Sequence, residues 1–350
     1  MKTEIITVNK SEPLDSQLER AAEIIHCGGL VAFPTETVYG LGANGLDAAA
    51  SSKIYAAKGR PSDNPLILHI DEPSKAELYA YTCEQYYALA RKFMPGPLTV
   101  IMKKRDIVPK TTTGGLESVA LRCPVNETAR EFIALCELPI AAPSANISGK
   151  PSPTCAAHVL HDMDGRIDMI IDGGECDIGV ESTIVELKNG KATLLRPGAI
   201  TLEMLREVLG DVAVDPTVTH IPMANMVPKA PGMKYRHYAP SAPTFLLCDD
   251  KSADFDMRAR RFLLEKKQED AKTGVLCFEE YLPELAGKYT LSLGAKENEK
   301  EHAKRLFAAL RSFDEMGVSR IFATVSDTGD DGLAFYNRML KASGYNTVKI

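Results

Sequence analysis

Short apolar runs bounded by Gly, Pro or Asn recur through the first 210 or so residues of the chain. Before the first of these runs, the helical spacing of Leu14, Leu18, Ala22 and Ile25 predicts a helix that ends at Gly28. The runs show no polar alternation, which is typical of strands covered on both faces. They lie at residues 30–33, 66–70, 98–102, 119–121, 140–142, 169–171 and 183–185. This pattern predicts a domain of the α/β or α+β class, with a twisted, mixed sheet, over residues 1–212.

The pattern changes after this domain. Residues 213–243 hold repeated prolines and little periodicity, which predicts a semi-extended linker. The linker also carries Lys229, Lys234 and Arg236 and has no acidic residue after Asp215, which is unusual for a mere spacer.

Alternation of strand and helix patterns resumes at residue 244. Strand patterns occupy residues 245–248, 274–278, 289–293 and 321–325, and helix patterns occupy 253–267, 297–316 and 332–342. We therefore predict a small, doubly wound, Rossmann-like α/β domain over residues 244–350. It shows no Gly-rich phosphate-binding motif.

Composition narrows the class of protein. The chain has 350 residues, of which 45% are apolar and 25% charged, and its net charge of −6 argues against a generally basic nucleic-acid coat. The eight cysteines form no CxxC pair, so we expect reduced thiols and neither a zinc site nor a disulfide frame. Residues 1–6 lack the apolar core of a signal peptide, and no apolar run approaches the ~20 residues that span a bilayer. We expect a cytoplasmic protein that does not enter membranes.

The turn over residues 57–66 carries the strongest candidate chemistry. It places Lys58 and Arg60 one residue apart, with Asn64 close behind, directly before the apolar run 66–70. A turn at the mouth of a buried strand is where an α/β protein can hold a phosphate. Lys supplies a point charge there, and Arg supplies a planar fork that grips oxygens in pairs. The alternative for a bare pair of cations is a solvated surface turn.

Two further strand ends carry polar groups. The segment 33–42 is rich in hydroxyls and glycine, and Thr37 there either faces a small polar ligand or caps a helix. Arg122 ends the run that follows Ser118, and a buried guanidinium needs an anionic partner, either an internal carboxylate or a bound one. His69 lies inside the run 66–70 that follows the Lys58/Arg60 turn, where a hydrogen-bonded core histidine is the alternative to a ligand-binding one.

Two later turns complete the set. Ser144 and Asn146 follow the run that includes Ala142, where they either serve a phosphate or make the turn. Ser182 opens one strand and Arg196 closes the next. Five polar turns at strand ends together describe one rim with four cations, which suits a nucleoside triphosphate and a small carboxylate ligand. With no nucleophilic triad, close carboxylate pair or metal cage in the sequence, electrostatic positioning is the favoured mechanism.

Several strings of residues resemble those of a known family. Lys58 and Arg60 with Ser144 and Asn146 are similar to the KxR…SxN signature of the YrdC-like family. Further matches are FPTETVYGLG from Phe33, RPSDNPL from Arg60, MPGPLT from Met94, APSANISG from Ala142 and ESTIVE from Glu181. The string GMKYRHYAP, which begins at Gly232, resembles the hallmark of the long, two-domain form of that family.

The resemblance implies a YrdC-like fold for the first domain and a nucleotidyltransferase reaction. L-Threonine, bicarbonate and ATP, with Mg²⁺ expected alongside, would give threonylcarbamoyl-adenylate, pyrophosphate and water, as the first step of a tRNA modification. The family would place Lys58 and Arg60 in catalysis. It would place the following residues against ATP: Arg60, Asn64, Ser118, Ser144, Ser152, Arg196 and Tyr235. It would place these against threonine: Thr37, His69, Arg122, Ala142 and Ser182.

The resemblance also implies that Tyr235 closes over the nucleotide, and that downstream tRNA threonylcarbamoyltransferase machinery consumes the adenylate. Two other functions stay open. The first is a non-catalytic module that binds RNA weakly through the same cations. The second is carbamoyl transfer to another acceptor, such as a hydrogenase maturation protein.

Overall fold

The computed structural model describes residues 2–9, 11–221, 228–234, 237–325 and 329–350, with residues 329–331 described by their backbone alone. The chain divides into two compact units. The first comprises Met1–Ser148 and Ser152–Lys234, and the second comprises Gly149–Pro151 and Tyr235–Ile350. In this division the described residues 213–221 and 228–234 fall in the first unit, whereas the sequence predicts a linker over 213–243. Strand pairing with the first sheet continues as far as Val214.

The first unit contains eleven strands and six α-helices within the described residues. The strands are β1 Glu4–Thr7, β2 Val31–Phe33, β3 Gly40–Asn44, β4 Ile67–His69, β5 Leu98–Lys103, β6 Ser118–Arg122, β7 Ile140–Ala141, β8 Met169–Asp172, β9 Thr183–Lys188, β10 Lys191–Arg196 and β11 Val212–Val214. The helices are α1 Leu14–His26, α2 Ala48–Lys58, α3 Glu84–Phe93, α4 Glu127–Cys136, α5 Ala156–Met163 and α6 Leu202–Leu209. Short 3-10 helices lie at Pro73–Leu78 and Pro216–Val218.

These strands form one mixed sheet, as the sequence predicts, in the order β1-β8-β2-β3-β7-β4-β6-β5-β9-β10-β11. Strand β6 runs parallel to β4 and antiparallel to β5, and β5 runs parallel to β9. Every apolar run predicted as a strand in this unit forms one. The segment 33–42 is not wholly a turn, because Gly40 begins β3, which returns antiparallel to β2.

The central strands bury two different faces, because successive side chains of a strand point to opposite sides. On one side, residues such as Leu68, Val100 and Leu121 join the main core with apolar side chains of α2, α3 and α6. The other side carries a smaller cluster that chain segment 228–234 covers. Its members are Ile67, Ile101, Ala120, Ile184, Leu195, Ala230 and Met233. We call this second side the polar face, because hydrophilic side chains flank that cluster.

The second unit has a five-stranded, wholly parallel sheet in the order β14-β13-β15-β12-β16. Its strands are β12 Thr244–Cys248, β13 Thr273–Cys277, β14 Thr290–Ser292, β15 Arg320–Val325 and β16 Thr347–Val348. Its helices are α7 Phe255–Glu269, α8 Leu282–Leu285, α9 Glu299–Met316 and α10 Gly329–Ser343, with a 3-10 turn at Glu279–Tyr281.

Strands β12, β13 and β14 follow one another towards one edge of the second sheet, and β15 and β16 then return towards the other edge. Right-handed crossovers then put α7 and α8 on one face and α9 and α10 on the other. The helices contact one another in those pairs. This arrangement matches the small doubly wound domain that the sequence predicts.

Replacing Leu68 by Ala should lower the free energy of unfolding by about 2–5 kcal/mol, because Leu68 is fully buried in the main core. Leu78→Ala is the matched control, since Leu78 is 53% exposed in the same unit. Urea denaturation of both variants measures the difference. Equal losses would contradict the assignment of Leu68 to the core.

Candidate active site

Four buried polar side chains meet at one end of the polar face. His69 lies two residues beyond Ile67 on β4, and Arg122 lies two residues beyond Ala120 on β6, so both share the face of the apolar cluster. In the sheet register, His69 and Thr99 both stand opposite Arg122. Ser182 precedes β9, and its Oγ lies 2.8 Å from Thr99 Oγ1.

Arg122 is paired with an internal carboxylate. Its Nη2 donates to Glu36 Oε1 at 2.8 Å and to Thr35 Oγ1 at 3.4 Å. The Arg122 and Glu36 side chains are only 5% and 4% exposed. The sequence left open whether the partner is internal or bound, and the structure shows an internal one. Two polar atoms of the pair, Arg122 Nε and Glu36 Oε2, are buried without a hydrogen-bond partner.

The turn between β2 and β3 supplies Glu36 and two buried hydroxyls. Thr35 Oγ1 donates to the Val38 carbonyl at 2.7 Å and lies 2.9 Å from Thr37 Oγ1. The Thr37 carbonyl in turn accepts from the Gly179 N–H at 3.1 Å. These bonds fix the turn. Thr37 does not cap a helix, since a strand follows and α2 is capped by Asp47.

His69 is held as a neutral ring. Its Nδ1 lies 3.2 Å from the Ile67 carbonyl, and its ring stands edge-on to Phe33. Burial, together with the nearby charge of Arg122, lowers the pKa of His69 to about 3. At neutral pH His69 therefore carries no charge and interacts through hydrogen bonds.

Arg196 ties Ser182 to segment 228–234. Its Nε donates to the Ser182 carbonyl at 3.0 Å and its Nη2 donates to Ser182 Oγ at 3.1 Å. Its Nη1 donates to the Pro231 carbonyl at 3.5 Å. A guanidinium that holds both groups fixes the chain segment against this part of the sheet.

Lys58 lies at the end of α2, where Gly59 adopts a left-handed conformation with φ of 61° and ends the helix. Its ammonium donates to the Ser144 carbonyl at 2.5 Å and to the Asn146 carbonyl. Ser144 Oγ donates to Asn146 Oδ1 at 2.5 Å. Three of the four members of the KxR…SxN signature, Lys58, Ser144 and Asn146, therefore meet in one hydrogen-bonded group.

Arg60 folds back along its own turn. Its Nε donates to the Asn64 carbonyl at 3.1 Å and its Nη2 donates to the Pro65 carbonyl at 3.0 Å. Since Ile67 stands opposite Ala120, the same parallel register brings Pro65 beside Ser118. Asn64 Oδ1 is buried with no hydrogen-bond partner.

A cavity of about 680 Å³ opens at this second end of the polar face. Its walls include Tyr81, Ile101, Ser118, Glu186 and Lys229. The ammonium of Lys229 binds Glu186 Oε2 at 2.9 Å, so segment 228–234 also bounds this cavity. Ser118 and Arg122 stand at opposite ends of β6, about 13 Å apart along the strand. The predicted residues of the central strands, His69, Arg122 and Ser118, thus share one face of the sheet but lie at its two ends.

The remaining predicted residues have separate positions. Ser152 Oγ donates at 2.6 Å to Oε1 of Glu181, the residue that immediately precedes Ser182. The Ala142 N–H donates to the Ile67 carbonyl at 2.8 Å, beside the strand that carries His69. Tyr235 lies outside the described residues.

Sequence reasoning assigned no role to Glu36, Thr99 or Glu181, although all three stand in strings that it singled out. The signal for Glu36 was present. A buried arginine requires an anion, and Glu36 is the only carboxylate in the hydroxyl-rich segment 33–42.

Fold and site together define an α/β protein with cationic and hydroxyl groups buried along one face of a mixed sheet, an arrangement suited to anionic ligands. Among the described residues, no helix has the length and apolarity to cross a bilayer. Comparisons with known proteins then identify the family. A family model described as "Telomere recombination" matches residues 23–198, and one described as "Threonylcarbamoyl-AMP synthase, C-terminal domain" matches residues 200–344.

Similar proteins cover the whole chain. Threonylcarbamoyl-AMP synthase of Pyrococcus abyssi is 46% identical over 99% of both chains, and that of Bacillus subtilis is 44% identical over 100% of both. The crystal structure of P. abyssi Sua5 complexed with L-threonine has a TM-score of 0.90 at 45% identity, covering 99% of this chain and 100% of that one. The chain belongs to the threonylcarbamoyl-AMP synthase family, a family of enzymes, which confirms the resemblance and the fold class inferred from sequence.

The free energy of unfolding should decrease as the pH is lowered, because His69 is buried and neutral in the folded protein. In the unfolded chain its imidazole takes up a proton below pH 6.5, whereas the folded protein resists protonation until about pH 3. The folded state therefore loses up to about 1.4 kcal/mol per pH unit between those values. His69→Gln should remove this part of the slope in urea denaturation at about pH 7 and about pH 5. Equal slopes in the two proteins would show that His69 is not held neutral.

Proposed function

We propose that this protein synthesises L-threonylcarbamoyl-adenylate from L-threonine, bicarbonate and ATP, with release of pyrophosphate. It would act as a nucleotidyltransferase in the first step of tRNA threonylcarbamoyladenosine modification. The observation that carries the proposal is the buried Arg122 site, with its unpartnered Nε, in a chain whose relatives have this name. The P. abyssi relative was crystallised with L-threonine.

Threonine would occupy the Arg122 end of the polar face. Arg122 Nε is a buried donor with no partner, which suits one oxygen of a carboxylate. The neutral ring of His69 and the hydroxyls of Thr37 and Ser182 would serve the threonine hydroxyl and the carbamate, and the backbone of Ala142 would close the site. A niche for one methyl contributes about 1–3 kcal/mol, so selection against serine would be moderate.

ATP would extend from there towards the cavity beside Ser118. The groups assigned to it are Arg60, Asn64, Ser118, Ser144, Ser152, Arg196 and Tyr235. The cavity's volume and its apolar wall residues support binding of the adenosine moiety at that end. The buried Asn64 Oδ1, which has no partner, supports a polar ligand contact in the same region.

Catalysis would depend on fixed charge. The carbamate oxygen would attack the α-phosphorus of ATP while Lys58 and Arg60 stabilise the charge on the departing pyrophosphate. Backbone carbonyls hold both cations in place, so little reorganisation is needed during the reaction. We expect Mg²⁺ to accompany the triphosphate, whose oxygens are ligands that it prefers. Closure by Tyr235 would exclude water from the adenylate, and tRNA threonylcarbamoyltransferase machinery would consume the product.

Lys58→Ala should reduce the rate of pyrophosphate release by about 100-fold, because the buried ammonium would no longer stabilise the leaving group. Lys53→Ala on the same helix is the matched control, since the Lys53 ammonium binds the Gly28 carbonyl at the surface. Pyrophosphate is measured with threonine, bicarbonate and ATP present. An unchanged rate in Lys58→Ala would refute the role of Lys58.

Met233→Asp should raise the KM for ATP by about tenfold, a cost of about 1.4 kcal/mol. Met233 is buried against the polar face, and a carboxylate there would displace segment 228–234. Ile221→Asp is the control, because Ile221 is 71% exposed. If both variants bind ATP like the unsubstituted protein, the segment does not shape the nucleotide site.

A further inference from the structure

We propose that Glu36 binds the α-ammonium group of the amino-acid substrate and takes one of its protons before the amine reacts. This inference rests on the proposed function and deepens it, since neither the family resemblance nor the carboxylate chemistry of Arg122 assigns a role to Glu36. It concerns one carboxylate in the turn between β2 and β3.

The first observation is that one buried carboxylate oxygen of Glu36 has no hydrogen-bond partner. Glu36 is 3% exposed, and its Oε1 accepts from Arg122 Nη2 at 2.8 Å. Its Oε2 is buried and has no hydrogen-bond partner. A buried carboxylate oxygen without a donor is costly, so this position suits a hydrogen-bond donor from a bound ligand.

The second observation is the neighbouring unpartnered donor. Arg122 Nε is also buried with no partner, in the same ion pair. A single buried ion pair thus holds one unsatisfied acceptor and one unsatisfied donor. An α-amino acid carries the complementary pair, a carboxylate and an ammonium on a single carbon, and charge-assisted hydrogen bonds to both are short and strong.

Substrate charge decides which ligand Glu36 serves. ATP and bicarbonate are anions, and a carboxylate repels them. L-Threonine is the one substrate of the proposed reaction with a cationic group. Glu36 Oε2 therefore matches the threonine ammonium and neither of the other two substrates.

The same contact supplies a proton acceptor. An ammonium nitrogen has no lone pair, so one N–H proton must move to Glu36 Oε2, leaving a neutral amine and a carboxylic acid. The amine nitrogen then bonds to the carbon of bicarbonate, a C–O bond breaks, and the departing hydroxide takes a second N–H proton and leaves as water. The products are the carbamate, water and one proton, which Glu36 returns to solvent.

The test compares two ligands that differ only in the amine. L-Threonine and 3-hydroxybutanoate are titrated calorimetrically into the full-length protein and into Glu36→Gln. We expect Glu36→Gln to weaken threonine binding at least tenfold and to change 3-hydroxybutanoate binding less than threefold, because only threonine has the ammonium. Asp168→Asn, which alters a carboxylate that accepts from the Leu30 N–H, should change neither affinity.

Equal weakening of both ligands by Glu36→Gln would overturn the inference, since Glu36 would then only orient Arg122. A wild-type protein that binds neither ligand would overturn the proposed function as well, so the two failures are distinguishable. Turnover gives a second readout. The activity of Glu36→Gln should recover as pH rises towards the pKa of the threonine amine, because the substrate then arrives deprotonated, and a flat profile would contradict the proton-acceptor role.

Should Glu36→Gln fold poorly, Glu36→Asp makes the same comparison. Aspartate keeps the negative charge, but its side chain is shorter by one methylene, so its oxygens lie farther from the ligand. We therefore expect a selective loss for threonine that is smaller than the loss in Glu36→Gln. A loss shared equally with 3-hydroxybutanoate would again refute the inference.

Discussion

The buried guanidinium of Arg122 is the constraint on which the site depends. A charge this far from water is tolerated only when neighbouring groups compensate for its lost hydration. Glu36 and Thr35 from the β2–β3 turn provide that compensation. The Gly179 N–H donates to the Thr37 carbonyl and fixes this turn. Loops that are far apart in the sequence are thereby held around the Arg122 side chain.

Because side chains alternate along β4, β5, β6 and β9, the residues of the main core and the candidate ligand-binding residues of these strands lie on opposite faces. One side of these strands contributes to the main apolar core, whereas the other presents a small apolar cluster with polar residues at both ends. The cluster separates a compact end around Arg122 from a cavity beside Ser118. Such a division suits two ligands of different size that must meet, because the rigid sheet fixes the spacing of their sites.

The central strands and the second parallel sheet were predictable from sequence, because continuous apolar runs mark strands covered on both faces. Strands β1, β3 and β11 were not, since Glu4–Thr7 and Val212–Val214 are mostly exposed and Gly40–Asn44 is rich in glycine. The need of Arg122 for an anion was also predictable. The identity of that anion was not, because Glu36 lies 86 residues away and topology alone brings it there.

A crystal structure of this protein with L-threonine and a non-hydrolysable ATP analogue tests the central claim most directly. We predict that the threonine carboxylate lies within about 3.2 Å of the Arg122 guanidinium. We also predict that the triphosphate lies beside Lys58 and Arg60, with the adenosine towards Ser118. Threonine bound away from Arg122, or a nucleotide bound to the opposite face, would contradict that claim.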